Sequence, residues 1–103
     1  MTIKQKLSTI NHTTILGIKI NLVSMVEAVD LVSNWIKKKG KHYIVTPNPE
    51  FIMAARQDQE FWDILNQADL AIPDGVGLKL ARTQIKEIIP GVDLMEQLCQ
   101  LFQ

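Results

Sequence analysis

Between residues 14 and 23 the chain reads Thr-Ile-Leu-Gly-Ile-Lys-Ile-Asn-Leu-Val, β-branched and apolar types in partial alternation around a central glycine. That pattern predicts one or two short strands meeting at a turn or bulge. Ser24 and Glu27 follow at the spacing of a capping box, and Met25, Val29, Val32 and Ile36 recur at helical intervals. An amphipathic helix is expected there, with Lys37 to Lys39 in its last turn and Gly40 after it. His42-Tyr43-Ile44-Val45 is a short apolar run stopped by Thr46-Pro47, as a buried strand stops where proline lacks an amide for the ladder.

Asn48 before Pro49 reads as an N-cap and first helical residue, opening a helix to about Arg56. After Asp58 a second helix is expected, nearly continuous with the first, with Phe61, Ile64, Leu65 and Ala68 on one face. Asp69-Leu70-Ala71-Ile72 is another strand candidate, stopped by Pro73-Asp74-Gly75, and residues 76–85 are expected to form a helix against the sheet. Pro90-Gly91-Val92 breaks the chain again. Asp93 and Glu96 then offer a second capping pair for a helix that carries Leu94, Leu98 and Leu101.

Strands alternating with helices imply a mostly parallel sheet, because a parallel connection needs a long crossover that a helix supplies. The expected fold class is therefore α/β, a Rossmann-like, mostly parallel sheet with flanking helices, here in truncated form. Residues 1–103 read as a single domain, without repeat, low-complexity tract or linker-like shift in composition. A partial sheet leaves an exposed edge or an uncovered apolar face, so self-association into a homo-oligomer is expected.

Composition narrows the function. The 103 residues are 47% hydrophobic and 21% charged, a mixture that supports one core. Eleven basic and eleven acidic side chains balance to zero, which gives no global field to hold a nucleic acid. Cys99 is the single cysteine and the histidines are His12 and His42, so neither a disulfide nor a zinc-like ligand set is spelled out, and a reducing cytoplasm fits. No stretch approaches the length of a membrane span, which limits any membrane contact to a peripheral one.

In an open α/β sheet, ligands bind beyond the carboxyl ends of the strands. Thr46 to Glu50 and Pro73 to Gly77 both lie at such ends and are expected to share one edge. Thr46 offers a hydroxyl and Asn48 an amide suited to a sugar; Asp74 offers a carboxylate where the backbone approaches closely, as a general base requires. By spacing alone Asn48 is first a helix cap and Asp74 first a turn residue. Gly75-Val76-Gly77 begins like a dinucleotide fingerprint, but Leu80 stands where the third glycine belongs, and no Lys-Ser or Lys-Thr follows as in a P-loop. Trp35, Trp62 and the apolar face with Met95, Leu98 and Cys99 read as packing residues. His12 and His42 have no carboxylate partner in the pattern, and Lys37 to Lys39 read as a solvated helix end.

Taken in order, Val45-Thr46-Pro47-Asn48-Pro49-Glu50, residues 68–77 and Pro90-Gly91-Val92-Asp93-Leu94-Met95 resemble successive landmarks of the N-terminal part of the WecG/TagA/CpsF bacterial glycosyltransferases. The resemblance covers nearly all of the chain from about Thr14. It implies inverting transfer of N-acetylmannosamine, or a related sugar, from a UDP donor to a lipid-diphosphate-linked N-acetylglucosamine in cell-envelope polymer synthesis. No metal or other cofactor is implied, and the expected location is cytoplasmic, with peripheral contact at the inner face of the membrane. By the same resemblance Asp74 is the base that takes the acceptor proton, Thr46 and Asn48 line the sugar pocket, and Gly75 and Gly77 complete the substrate-binding set.

Three departures stand out. Family members are about twice as long, they tend to carry arginine where this chain has Ile88 after Glu87, and the stretch from Gly77 to Glu87 is a few residues shorter here. Two other functions remain open at this stage. One is a non-enzymatic remnant or sugar-nucleotide-binding or subunit-binding module; the other is a small NAD- or NADP-binding domain suggested by Gly75-Val76-Gly77.

Overall fold

The computed structural model describes residues 10–38 and 40–102. The first apolar stretch folds back on itself as an antiparallel hairpin, β1 (His12–Ile15) and β2 (Ile18–Asn21), in the register His12 to Asn21 and Ile15 to Ile18. Leu16 and Gly17 make its turn with φ of 49° and 83°, so the central glycine of the sequence serves the left-handed position that glycine tolerates. Ile18 and Ile20 are fully buried, while β1 alternates between exposed and half-buried.

The helix α1 (Met25–Lys37) starts as its sequence dictates. Ser24 Oγ accepts from Glu27 N at 3.1 Å, and Glu27 Oε1 accepts from Ser24 N at 3.0 Å, closing the capping box. Lys38 is its C-cap; the expected last-turn role of Lys39 lies outside the described residues. There follow β3 (Ile44–Val45), α2 (Pro49–Ala55), α3 (Gln59–Gln67), β4 (Leu70–Ala71), α4 (Val76–Ala81) and α5 (Gly91–Leu101). Arg56 to Asp58 separate α2 from α3, and Asp58 caps α3 by accepting from Phe61 N at 3.1 Å. The two helices are thus distinct rather than nearly continuous.

The α/β class holds, but the extended Rossmann-like sheet does not form among the described residues. There are two sheets of two strands each: the β1–β2 hairpin, and β3 with β4 in parallel, pairing Ile44 with Leu70 and Val45 with Ala71. Pro47 and Pro73 follow these strands closely and help to end the ladder. β2 reaches the parallel pair through a side chain, Asn21 Oδ1 accepting from Ala71 N at 2.8 Å.

Even this short pair is covered on both faces, as buried parallel strands require. Leu70, Ile72 and Ile89 pack with Leu31, Val32 and Trp35 of α1 and Leu94 of α5. A second cluster joins Ile18 and Ile20 to Ile52, Ala55, Leu65, Leu78 and Ile85, with Val45 against it. The structure corrects several details of the sequence reading. α4 ends at Ala81 instead of reaching residue 85, and Ile85 is buried from an irregular segment. Ile64 and Met95 are exposed, as are Leu101 and Cys99. No Asp93–Glu96 box forms, because α5 starts three residues earlier with Pro90 as its N-cap and no side-chain cap.

Candidate active site

Parallel pairing of β3 and β4 brings their carboxyl ends to one edge, so the two turns singled out in the sequence lie side by side. The ladder continues past the strands: Ile72 N donates to Val45 O at 3.0 Å and Asp74 N to Pro47 O at 3.1 Å. The backbone of Asp74 is therefore fixed against the Thr46–Asn48 turn, and its side chain is half-buried. Thr46 and Asn48 are half-buried beside it.

Asn48 is the N-cap of α2, its Oδ1 accepting from Phe51 N at 2.9 Å. The cap engages the oxygen, and Nδ2 has no hydrogen-bond partner among the described residues. Gly75 sits at φ 106°, in the region that favours glycine. A Cβ on Gly75 would stand 3.3 Å from Pro49 Cδ, and one on Gly77 would stand 3.1 Å from Pro49 Cγ. The Pro49 ring thus fills the space that side chains at both glycines would need. Gly75 and Gly77 hold two backbones close together; nothing in this packing requires them to touch a ligand.

The third sequence landmark joins the same edge. A Cβ on Gly91 would lie 3.0 Å from Thr46 Cγ2, so the start of α5 abuts the end of β3. Just before it, Ile89 N donates to Pro73 O at 2.8 Å. Glu87 Oε2 accepts from Met25 N, and Gln84 Oε1 accepts from Thr13 Oγ1 at 2.9 Å. Residues 84–89 form a strap that ties the hairpin, the start of α1 and the Asp74 turn together. Ile88, at the position where arginine is expected by resemblance, is half-buried against the second apolar cluster.

Sequence reasoning missed one cluster at the opposite end of the parallel pair. His42 stacks on Trp35 with ring centroids 4.3 Å apart and planes 6° apart, and its Nδ1 lies 3.6 Å from Asp69 Oδ1. Asp69 Oδ2 also accepts from Tyr43 N at 2.9 Å. The expectation that His42 lacks a carboxylate partner is thus corrected. Parallel pairing of β3 with β4 creates the contact, and no local spacing encodes it.

One edge therefore gathers a carboxylate, a hydroxyl and an amide on two adjoining turns, Asp74 on one and Thr46 and Asn48 on the other. The model of the glycosyl transferase WecG/TagA/CpsF family matches residues 13–103, and the chain belongs to that family. Among its relatives are the N-acetylglucosaminyldiphosphoundecaprenol N-acetyl-beta-D-mannosaminyltransferases of Staphylococcus aureus strains NCTC 8325 / PS 47 and COL. Each is 28% identical over 103 residues, covering 94% of this chain and 40% of the relative. The chain spans about two fifths of the length of the curated relatives it matches. No helix among the described residues is long and apolar enough to cross a membrane.

Proposed function

We propose that this chain forms the base-bearing part of an inverting glycosyltransferase that moves N-acetylmannosamine, or a related sugar, from a UDP donor to a lipid-diphosphate-linked N-acetylglucosamine. The observation that carries this reading is the convergence of Thr46, Asn48 and Asp74 at one strand edge, pinned by the Asp74 N to Pro47 O bond. Asp74 takes the proton of the acceptor hydroxyl as its oxygen attacks the anomeric carbon from the side opposite the diphosphate. Inversion by direct displacement requires one base only, and Thr46 and Asn48 orient the sugar hydroxyls. In this reading the β3–β4 pair is a segment of a larger Rossmann-like sheet, and the leaving diphosphate is stabilised by groups outside these residues.

Radiolabelled transfer from UDP-N-acetylmannosamine to a lipid-diphosphate-linked N-acetylglucosamine analogue tests it, using a full-length family member that carries this segment. Asp74→Asn is expected to reduce turnover at least a hundredfold with the fold intact; unchanged turnover removes Asp74 as the base.

The packing of Ile88 into the apolar cluster favours a second reading for the 103 residues alone, a module that binds substrate or another subunit without turnover. Transfer by the isolated chain eliminates that reading. The exposed Val26, Leu80, Val92 and Met95 support self-association, with any membrane contact peripheral and at the cytoplasmic face. Light scattering that gives a monomer at moderate concentration eliminates the oligomer.

A further inference from the structure

Beside the Asp74 turn lies a crevice of about 220 Å³, between the end of β2, the start of α1, Pro73 and the strap 84–87. Asn21 lines it and is only 8% exposed. Its Oδ1 accepts from Ala71 N at 2.8 Å, and because a backbone amide can only donate, this bond fixes which end of the side-chain amide is oxygen. Nδ2, a donor of two hydrogen bonds, is left with no partner among the described residues. The buried side-chain atoms without a partner among the described residues are Ser33 Oγ and Trp35 Nε1; Asn21 Nδ2 is not one of them, so solvent reaches it and something in the crevice can accept from it.

The other walls decide what that something is. Helix α1 would offer amides to an anion at its start. Here Met25 N already donates to Glu87 Oε2 and Glu27 N to Ser24 Oγ, so these donors are taken. Glu27 and Glu87 place two carboxylates on the wall against the single cation of Lys86, which disfavours a diphosphate. Leu22, Val23 and Ile85 add apolar surface. An amide donor, carboxylate acceptors and an apolar floor match a neutral sugar that bears an acetamido group: its carbonyl accepts, its hydroxyls donate and its methyl packs.

We propose that this crevice is a subsite for the N-acetylated amino sugar ring, held through its acetamido carbonyl by Asn21 Nδ2. The assignment rests on the glycosyltransferase reading for its biological substrate, but its test does not need turnover. It separates recognition in the Asn21 crevice from chemistry at Asp74.

Binding of N-acetylmannosamine, N-acetylglucosamine, mannose and inorganic diphosphate to the isotopically labelled chain is followed by amide chemical shifts. Both N-acetyl sugars are tested because the donor ring and the acceptor ring of the proposed reaction each carry an acetamido group, and either can occupy the crevice. At least one is expected to bind in the millimolar range and to shift the amides of Leu22, Val23 and Ile85, with mannose at least tenfold weaker. Asn21→Asp retains an oxygen for Ala71 N, removes the donor and adds a carboxylate charge, so binding is expected to fall at least about tenfold, while Glu60→Gln, on the exposed face of α3, binds as wild type does. If Asn21→Asp fails to fold, the wild-type shift map and the mannose comparison decide. Four outcomes overturn the subsite: no binding of either N-acetyl sugar, equal binding of mannose, shifts confined to residues 74–77, or diphosphate bound at the crevice. Loss of binding in Asp74→Asn alone also overturns it, and leaves the transferase reading standing.

Discussion

The indole of Trp62 closes over Gly17: a Cβ on that glycine would lie 2.3 Å from Cη2 and 2.6 Å from Cζ2. The φ of 83° at Gly17 adds a second obstacle, so the hairpin turn and its seat against α3 depend on one missing side chain. Gly17→Ala is expected to destabilise the fold by about 1–3 kcal/mol. Chemical denaturation measures this, and a loss below a few tenths would mean that the indole swings aside freely.

Gly75 carries the same two constraints at the candidate site, in milder form. With φ at 106° and Pro49 Cδ 3.3 Å from a Cβ, Gly75→Ala moves the Asp74 turn away from Thr46 and Asn48. A stability cost of about 1–3 kcal/mol is expected, and, under the proposed function, a fall in transfer by a full-length family member carrying this segment beyond what the folded fraction explains. Steady-state transfer normalised to folded protein distinguishes the two effects.

Two helix starts make a matched comparison. Ser24→Ala removes a side-chain cap from α1 and is expected to cost about 1 kcal/mol. Asp93→Ala acts on α5, which has no side-chain cap, and is expected to cost only a few tenths through the helix dipole. Equal losses in thermal unfolding would contradict the capping geometry.

Lys19 is half-buried on β2, with Nζ donating to Ala68 O at 2.7 Å. Burial lowers its pKa below 10.5, and the charge of Asp69 opposes the shift in part. Between that lowered value and 10.5 the unfolded chain binds more protons than the folded one, so stability rises with pH through this window. Below the window the penalty on the buried charge is fully present. Wild type is expected to gain stability relative to Lys19→Met as pH is raised towards 10.5; a difference that stays constant refutes the linkage.

Features written within a few residues were legible in the sequence. The capping box of Ser24 and Glu27, the Asn48–Pro49 helix start and the glycine turn of the hairpin all depend on neighbours, and all formed. The shared edge of Thr46 and Asp74 was legible too, because alternation of strands with helices forces parallel pairing. What escaped reading depends on distant partners. His42 meets Asp69 across the strand pair, and the residue 76–85 helix is cut short where Ile85 turns into the core. Asp93 and Glu96 had the right spacing, but Pro90 set the helix start three residues earlier. Asn21 gave no signal, since a polar residue closing a strand is ordinary until its partner 50 positions away is known.

The bond from Ala71 to Asn21 also bears on how this chain avoids unwanted assembly. Adjacent amides along a strand point to opposite sides, so with Ile72 N turned towards β3, Ala71 N is the donor β4 presents outward. An outward amide is a template on which a foreign strand can nucleate, and here it is plugged from within by a single carboxamide. Pairing of a further strand at this amide is therefore blocked on the β4 side, and the carboxamide that blocks it belongs to the chain's own hairpin.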